Sequence, residues 1–443
     1  MNRPETLETP SEILTARRKA ALEQLGHGAL VLPAAPVLYR SRHGEHRYHP
    51  DRELFYLAGA TEPETVAVLV GGSERRLVLF VRERDVEAEL WAGPRLGPEG
   101  VAARLRPDAC HALGELGERL PELLAAADRI FFRLGRGDPL ERHVVGALDQ
   151  ARRRGARAGT GPRGVIDPGE ILDDLRVVKD AHELALMRRA AAASVEGHRA
   201  GAAGIEPGAG EWAVEAAVDA ALRASGGGGP GYETIVGAGA HACVLHYVEN
   251  SALIGERDLV LVDAGAEHGL YHGDITRTYP ASGRFTAEQR EVYEIVEAAR
   301  RKAIEVVAPG VPVGDVHDAA TRVLTDGLVA LGVLEGSADD LIAKQAHKPF
   351  YPHQTSHWLG LDVHDPGDYA KNGVSRKLEP GMVLTVEPGL YFRPDGEGTP
   401  HSLAGIGVRI EDDVVVSEDG YEVLTRALPT SAEEVEALVG GGR

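Results

Sequence analysis

Two stretches of this chain repeat one pattern, and the repeat limits the fold more than any other feature. IEPGAGEWAVEAAVDAALRASG (205–226) and VAPGVPVGDVHDAATRVLTDGL (307–328) each carry a Pro-Gly, a short loop and an apolar-periodic helix. Pro207 and Pro309 lie 102 residues apart; at that offset Val214 falls on Val316, Ala217 on Ala319 and Leu222 on Leu324. Another helical stretch precedes each copy, the later one opening on the capping box Thr286-x-x-Gln289, and strand-like runs follow each. A helix–helix–sheet unit used twice predicts a pseudo-two-fold domain with a cleft between its halves. Chance similarity of two alanine-rich helices is the alternative.

Upstream, the runs GALVLPAA, TVAVLV, RLVLFV and RIFFRLG alternate with charged helical stretches. VAVLVGGSERRLVLFV reads as a hairpin turned at residues 71–75. ARRRGARAGTGPRG (151–164) reads as a linker, after which Leu184, Met187, Ala191 and Val195 line a helical face. These signals predict a smaller α/β domain over residues 1–165 and a duplicated α/β (α+β) domain over 166–443.

The net charge of −20 leaves no basic surplus to neutralise phosphates, so nucleic-acid and anionic-membrane partners are not expected. Cys110 and Cys243 stand far apart, giving neither a disulfide framework nor a thiolate zinc site. The opening MNRPETLETPSEILTARRKA has no apolar stretch of signal-peptide type, and no later run reaches membrane-span length. A cytoplasmic protein is expected.

Within LVDAGAEHGLYHGDITRTYP (261–280), a turn at His268-Gly269 would set Asp263 opposite Asp274. Their Cβ atoms would then lie roughly 5 Å apart, where like charges destabilise. Such a pair beside an apolar run needs water or a cation. The second repeat offers partners in HQTSHWLGLDVHD (353–365), VLTVEPGLYF (383–392) and GVRIEDDVVV (407–416). His353, His357 and His364 crowd together, Glu387 ends an apolar run, and Arg409 shares a strand face with Glu411. Carboxylate oxygens suit a hard divalent ion, and a neutral imidazole suits manganese, iron, cobalt or zinc. Singly, these residues read as a solvated hairpin end, a strand-end glutamate and a core histidine. Together, three apolar strands carry acids at otherwise buried places, which points to metal. HGEHRYHPDRE (43–53) reads as a solvated loop, and GAGAHA (237–242) lacks a full dinucleotide fingerprint.

VDAGAEHGLYHGDITRTYP, HQTSHWLGLDVHD, EPGMVLTVEPGLY and GVRIEDD resemble successive signature blocks of the aminopeptidase P branch of the pita-bread metallopeptidases. Prolidase, methionine aminopeptidase and creatinase are relatives of that branch. RYHPDRELFYLAGATEPETVAVLV and ELWAGPRLGPEG resemble its amino-terminal domain, so the likeness spans roughly residues 10 to 430. It implies a pita-bread domain holding two divalent ions, manganese first, with cobalt or zinc possible. By this resemblance Asp263 binds one ion in bidentate fashion, Asp274 and Glu411 bridge both, and His357 with Glu387 completes the other. A bridging hydroxide would be the nucleophile, with Glu387 as proton shuttle. His246, in CVLHYVEN, and His364 match histidines that contact the scissile carbonyl. His353 matches a substrate-pocket residue, and Arg409 a partner of the carboxylates. Trp91 matches a residue reaching a neighbouring subunit, implying a homodimer or homotetramer.

The implied activity is release of the N-terminal residue from peptides with proline second. Prolidase, which cuts Xaa-Pro dipeptides, is the nearest rival, but GEGTPHSLAGIG (396–407) lacks the arginine that would hold a dipeptide's carboxylate. A metal-free binding protein on the same fold is the rival of another class. Creatinase-type hydrolysis fits less well, because creatinase lacks these ligands. In one departure from the family pattern, DPGDYAKNGVSRKLEPG (365–381) is one residue longer and has Val374 where an arginine is expected. That leaves the outer pocket for longer peptides open.

Overall fold

The computed structural model describes residues 8–155, 157, 159–226 and 228–440. Residues 1–7 of the opening segment, and 156 and 158 of the stretch read as a linker, lie outside the described residues. The chain forms two compact units that part between Leu175 and Arg176. Among the described residues no helix is long and apolar enough to cross a membrane.

In the first unit, six strands make a mixed sheet in the order Ala109–Ala112, Arg76–Val81, Val66–Val70, Ala29–Pro33, Ile130–Phe131, Val165–Ile166. Val66–Val70 and Arg76–Val81 form the expected hairpin, with Val70 opposite Arg76. The strands are apolar nearly throughout because helices cover both faces. Leu30, Leu32, Leu69 and Leu79 enter one core; Val31, Val68, Val78 and Phe80 enter the other. The stretch read as a linker is helical as far as Gly155, the end of Leu140–Gly155, where Ala151 is buried. Ile171 and Leu172, on the helix Gly169–Val177, also pack in this unit's core.

The second unit contains the helix–helix–sheet pattern twice. Ala181–Gly204 packs on Glu211–Ala224 beside a sheet ordered Thr276–Pro280, Leu259–Asp263, Ile235–Ala238. Ala287–Val306 packs on Val313–Ala330 beside Val383–Val386, Asp412–Ser417 and Gly420–Val423. The repeat reappears in burial: residues 211, 214, 218 and 222 are buried, as are 313, 316, 320 and 324. Glycine brings each helix pair close. A Cβ on Gly197 would meet Leu222 Cδ2 at 2.5 Å, and one on Gly327 would meet Ile295 Cγ2 at 2.3 Å. Thr286 and Gln289 form the expected capping box.

The hairpin that carries the two aspartates takes another register than the expected one. His268 pairs with Tyr271, so the turn is Gly269-Leu270, with φ of 59° and 71°. Both central residues are left-handed, as a two-residue hairpin turn requires. Asp263 therefore pairs with Thr276, and Asp274 faces Gly265 between the Ala264–Ile275 and Ala266–Gly273 bonds. The strands approach so closely that a Cβ on Gly265 would meet Gly273 O at 1.7 Å. Because the slip is two residues, every side chain keeps its face. The aspartates become diagonal neighbours, still within reach of one shared site.

Candidate metal centre

The second unit contains an open cavity of about 740 Å³ whose wall includes Asp263, Asp274, His357, Glu387, Arg409 and Glu411. Strand ends aim these groups. Asp263 closes the strand Leu259–Asp263, Glu387 follows Val383–Val386, and Glu411 lies between Gly407–Arg409 and Asp412–Ser417. The histidine segment runs along the Val383–Val386 strand, since Thr385 N donates to His357 O (2.9 Å) and Glu387 N to Thr355 O (2.8 Å).

One phenol ties the hairpin's two acids together. Tyr232 Oη lies 2.7 Å from Asp263 Oδ1 and within hydrogen-bond reach of Asp274 Oδ1. A single O–H serves one acceptor at a time, so the two carboxylates are under-supplied with protons. Arg409 Nη2 donates to Asp263 Oδ2 at 2.5 Å, and Thr276 Oγ1 to Glu411 Oε2 at 2.7 Å. His357 Nε2 lies 3.5 Å from Asp274 Oδ2 and 3.6 Å from Glu387 Oε1. Its Nδ1 lies 3.0 Å from Trp358 O, an acceptor only, so Nδ1 keeps a proton and Nε2 is the nitrogen turned toward the acids. Asp274, His357 and Glu411 each offer a ligand atom, all within 4.8 Å of one another.

The electrostatics ask for positive charge. Burial, then the Asp274, Glu387 and Asp263 carboxylates, push Glu411 well above the usual range. Burial lifts Glu387 to about 7, although His357 and Arg409 oppose it. Burial lifts Asp263 against the pull of Arg409. Burial disfavours charge on His357, yet Asp274 and Glu387 outweigh it and carry the imidazole to about 9. Four carboxylates, three of them buried and Glu387 half-buried, thus draw on two cationic side chains. A hard divalent ion fits this donor set of carboxylate oxygens and one imidazole, and would keep the acids ionised and the imidazole neutral.

The other predicted residues fall in two places. His246, His353 and His364 line the same cavity. The His364 ring centroid is 4.3 Å from that of His357; burial and then the His357 charge hold His364 below its ordinary value. His353 Nε2 lies 2.8 Å from Tyr391 Oη, and burial followed by the Arg409 charge lowers His353 to about 3. Trp91 belongs to the first unit, on the helix Val86–Ala92, and is 88% exposed.

Sequence reasoning missed Tyr232, which no spacing rule marks, and Glu211. Glu211 is fully buried and accepts from Ala238 N (2.8 Å), His241 Nδ1 (3.0 Å), Tyr247 Oη (3.0 Å) and Ala252 N (2.8 Å). It thereby closes the 238–252 segment that carries His246. The repeat held the signal, because at the 102-residue offset this buried position is Val313 in the second copy. The loop bearing His364 is fixed likewise: Asp365 takes Arg176 Nη2 at 2.6 Å and Lys179 Nζ at 3.0 Å.

Residues 185–418 match the metallopeptidase family M24, and residues 14–131 match the aminopeptidase P N-terminal domain. The chain is 41% identical over 430 residues to the Xaa-Pro aminopeptidase of Escherichia coli K12, covering 96% of this chain and 97% of that protein. Aminopeptidase PepP of Pseudomonas aeruginosa superposes with a TM-score of 0.93 at 42% identity, covering 98% of this chain and 99% of that one. Zinc-substituted Escherichia coli aminopeptidase P in complex with product gives a TM-score of 0.93 at 40% identity, with 98% and 99% covered.

Proposed function

The chain belongs to the metallopeptidase family M24, and from that premise we propose that it is a Xaa-Pro aminopeptidase releasing the first residue of peptides whose second residue is proline. Its second unit is a pita-bread domain preceded by an aminopeptidase P N-terminal domain. The observation that carries the reading is the convergence of Asp263, Asp274, His357, Glu387 and Glu411 on one cavity. We take these five as ligands of two divalent ions, because a single ion would leave much of the charge on four carboxylates unmatched. Manganese is the metal we favour, with cobalt or zinc able to serve the same oxygen-rich set. When bound, such ions supply Lewis acidity and lower the pKa of water toward neutrality.

Position supports the remaining roles in this reading. His246 and His364 face the cavity beside the ligand set, where they can donate to a carbonyl oxygen that gains charge in the transition state. A bond to proline has no N–H, and its nitrogen leaves as a secondary amine that must gain a proton. Glu387, 3.6 Å from His353 and from His357, is placed to deliver it. We assign the proline ring to the wall at His353, whose Nε2 is held 2.8 Å from Tyr391 Oη. Arg409 spans Asp263, Thr276 and Tyr391 and keeps the carboxylate side in register with that wall. Trp91, exposed on a helix with no buried residue, supports a homodimer or homotetramer. The free cysteines Cys110 and Cys243 are compatible with the cytoplasm.

Prolidase is the disfavoured alternative, since residues 396–407 offer no arginine to a dipeptide's carboxylate. A metal-free binding role would leave three buried carboxylates and the adjoining Glu387 without a purpose. The test is enzyme reconstituted with manganese, cobalt or zinc and assayed on Xaa-Pro and Xaa-Pro-Ala. Higher kcat/KM on the tripeptide is expected. Cleavage of the dipeptide alone would make it a prolidase, and hydrolysis of neither with metal bound would refute the aminopeptidase reading.

A further inference from the structure

A second cavity of about 510 Å³ adjoins the first. Leu245 lines both, Tyr391 lines the second while its hydroxyl bonds His353 and Arg409 of the first, and Pro352 precedes His353. Their charges differ. The first cavity is dominated by carboxylates; the second carries Lys348 and Arg393 on its wall beside Glu397, with Asp395 3.8 Å from Arg393 Nε. In a chain of net charge −20, a wall where cations match acids stands apart from its surroundings.

The argument rests on the Xaa-Pro reading for its polarity. With the scissile bond at the ligand set and the proline against His353 and Tyr391, the peptide beyond proline continues past Leu245 and Tyr391. Position 374 is a valine, 70% exposed, and residues 396–407 contain no arginine. We propose that the second cavity receives the residues after proline, and that Lys348 and Arg393 select peptides with an anionic group there. The anion is a carboxylate, supplied by an acidic side chain or by the free C-terminus.

Four peptides test this: Ala-Pro-Ala-Ala as free acid and as amide, and the amides Ala-Pro-Glu-Ala and Ala-Pro-Lys-Ala. Each is measured for kcat/KM with the manganese enzyme and for affinity to the metal-stripped enzyme by calorimetry. The glutamate amide should exceed the lysine amide by about two- to five-fold, within the range of exposed ion pairs. Lys348→Glu with Arg393→Glu should reverse that order, each charged peptide being read against the neutral amide on the same variant; both residues are exposed and lie outside the ligand set. An advantage confined to the free acid would assign the site to the C-terminus; one confined to glutamate would assign it to a side chain. Equal affinities for all four peptides, or a preference that survives charge reversal, would overturn the inference whether or not any peptide is cleaved. Charge preference in calorimetry without cleavage would instead keep this site and reject the Xaa-Pro reading.

Discussion

Asp274 is the residue on which most of the centre depends. Its carboxylate meets Tyr232 and His357, and its backbone N donates to the buried Asp413 at 3.1 Å, which fixes the side chain's direction. Asp274→Ala should therefore abolish metal binding and activity together while the fold persists. Elemental analysis showing near-wild-type metal in an active variant would reject the ligand assignment. His364 predicts the opposite split. His364→Ala should retain metal and lower kcat by roughly 10²–10³, the usual effect of removing one donor to a developing oxyanion. Metal loss in that variant would turn it into a ligand.

At the scale of elements, the hairpin and the 238–252 segment set the geometry. Gly265→Ala would drive a Cβ to 1.7 Å from Gly273 O, so the hairpin must open. Losing the cross-strand bonds around Ala264 and Ile275 removes the placement of both aspartates. We expect a thermal midpoint lowered by ten degrees or more, on the order of 3 kcal/mol, with weakened metal affinity. An unchanged melting curve would contradict the close approach. Glu211→Ala strips four donors of a buried acceptor, and each orphaned donor costs about 1–3 kcal/mol. Hydrogen exchange should then rise across residues 238–252 while the helix Ala287–Val306 of the other half stays protected. Exchange confined to the helix Glu211–Ala224 would show that the carboxylate serves its own helix alone.

For the whole molecule, the charge deficit of the centre sets how stability responds to pH. Burial raises Glu387 from 4.5 to about 7, so the stability of its protonated form is present below 4.5 and lost as pH rises through 7. His357, raised from 6.5 to about 9 by Asp274 and Glu387 against burial, contributes stability below 6.5 that is lost through 9. Both act with the same sign. The metal-stripped enzyme should lose stability steadily between about pH 5 and 9, by on the order of a few kcal/mol. Added manganese should flatten or reverse that slope, because it replaces the missing protons. Denaturation scans at fixed ionic strength decide it; a metal-stripped enzyme that grows more stable across this range would refute the charge deficit.

The sequence by itself determined the duplicated helices, the hairpin of the first unit and the residue types of the centre. Each is a local matter of period, capping or composition: Val214 and Val316 occupy equivalent buried faces because both helices obey the same 3.6-residue repeat. The acids on apolar strands were legible because a buried charge without a partner is too costly to occur by chance. Only the tertiary structure decided the hairpin register, since the turn was chosen by the backbone approach of Gly265 to Gly273 and by left-handed φ at Leu270, a residue that carries no turn signal. It alone also placed Tyr232 between two aspartates and Glu211 beneath the His246 segment. Those contacts join residues 31, 42 and up to 41 positions apart, and no period or spacing rule reaches across a gap closed only by packing two layers together.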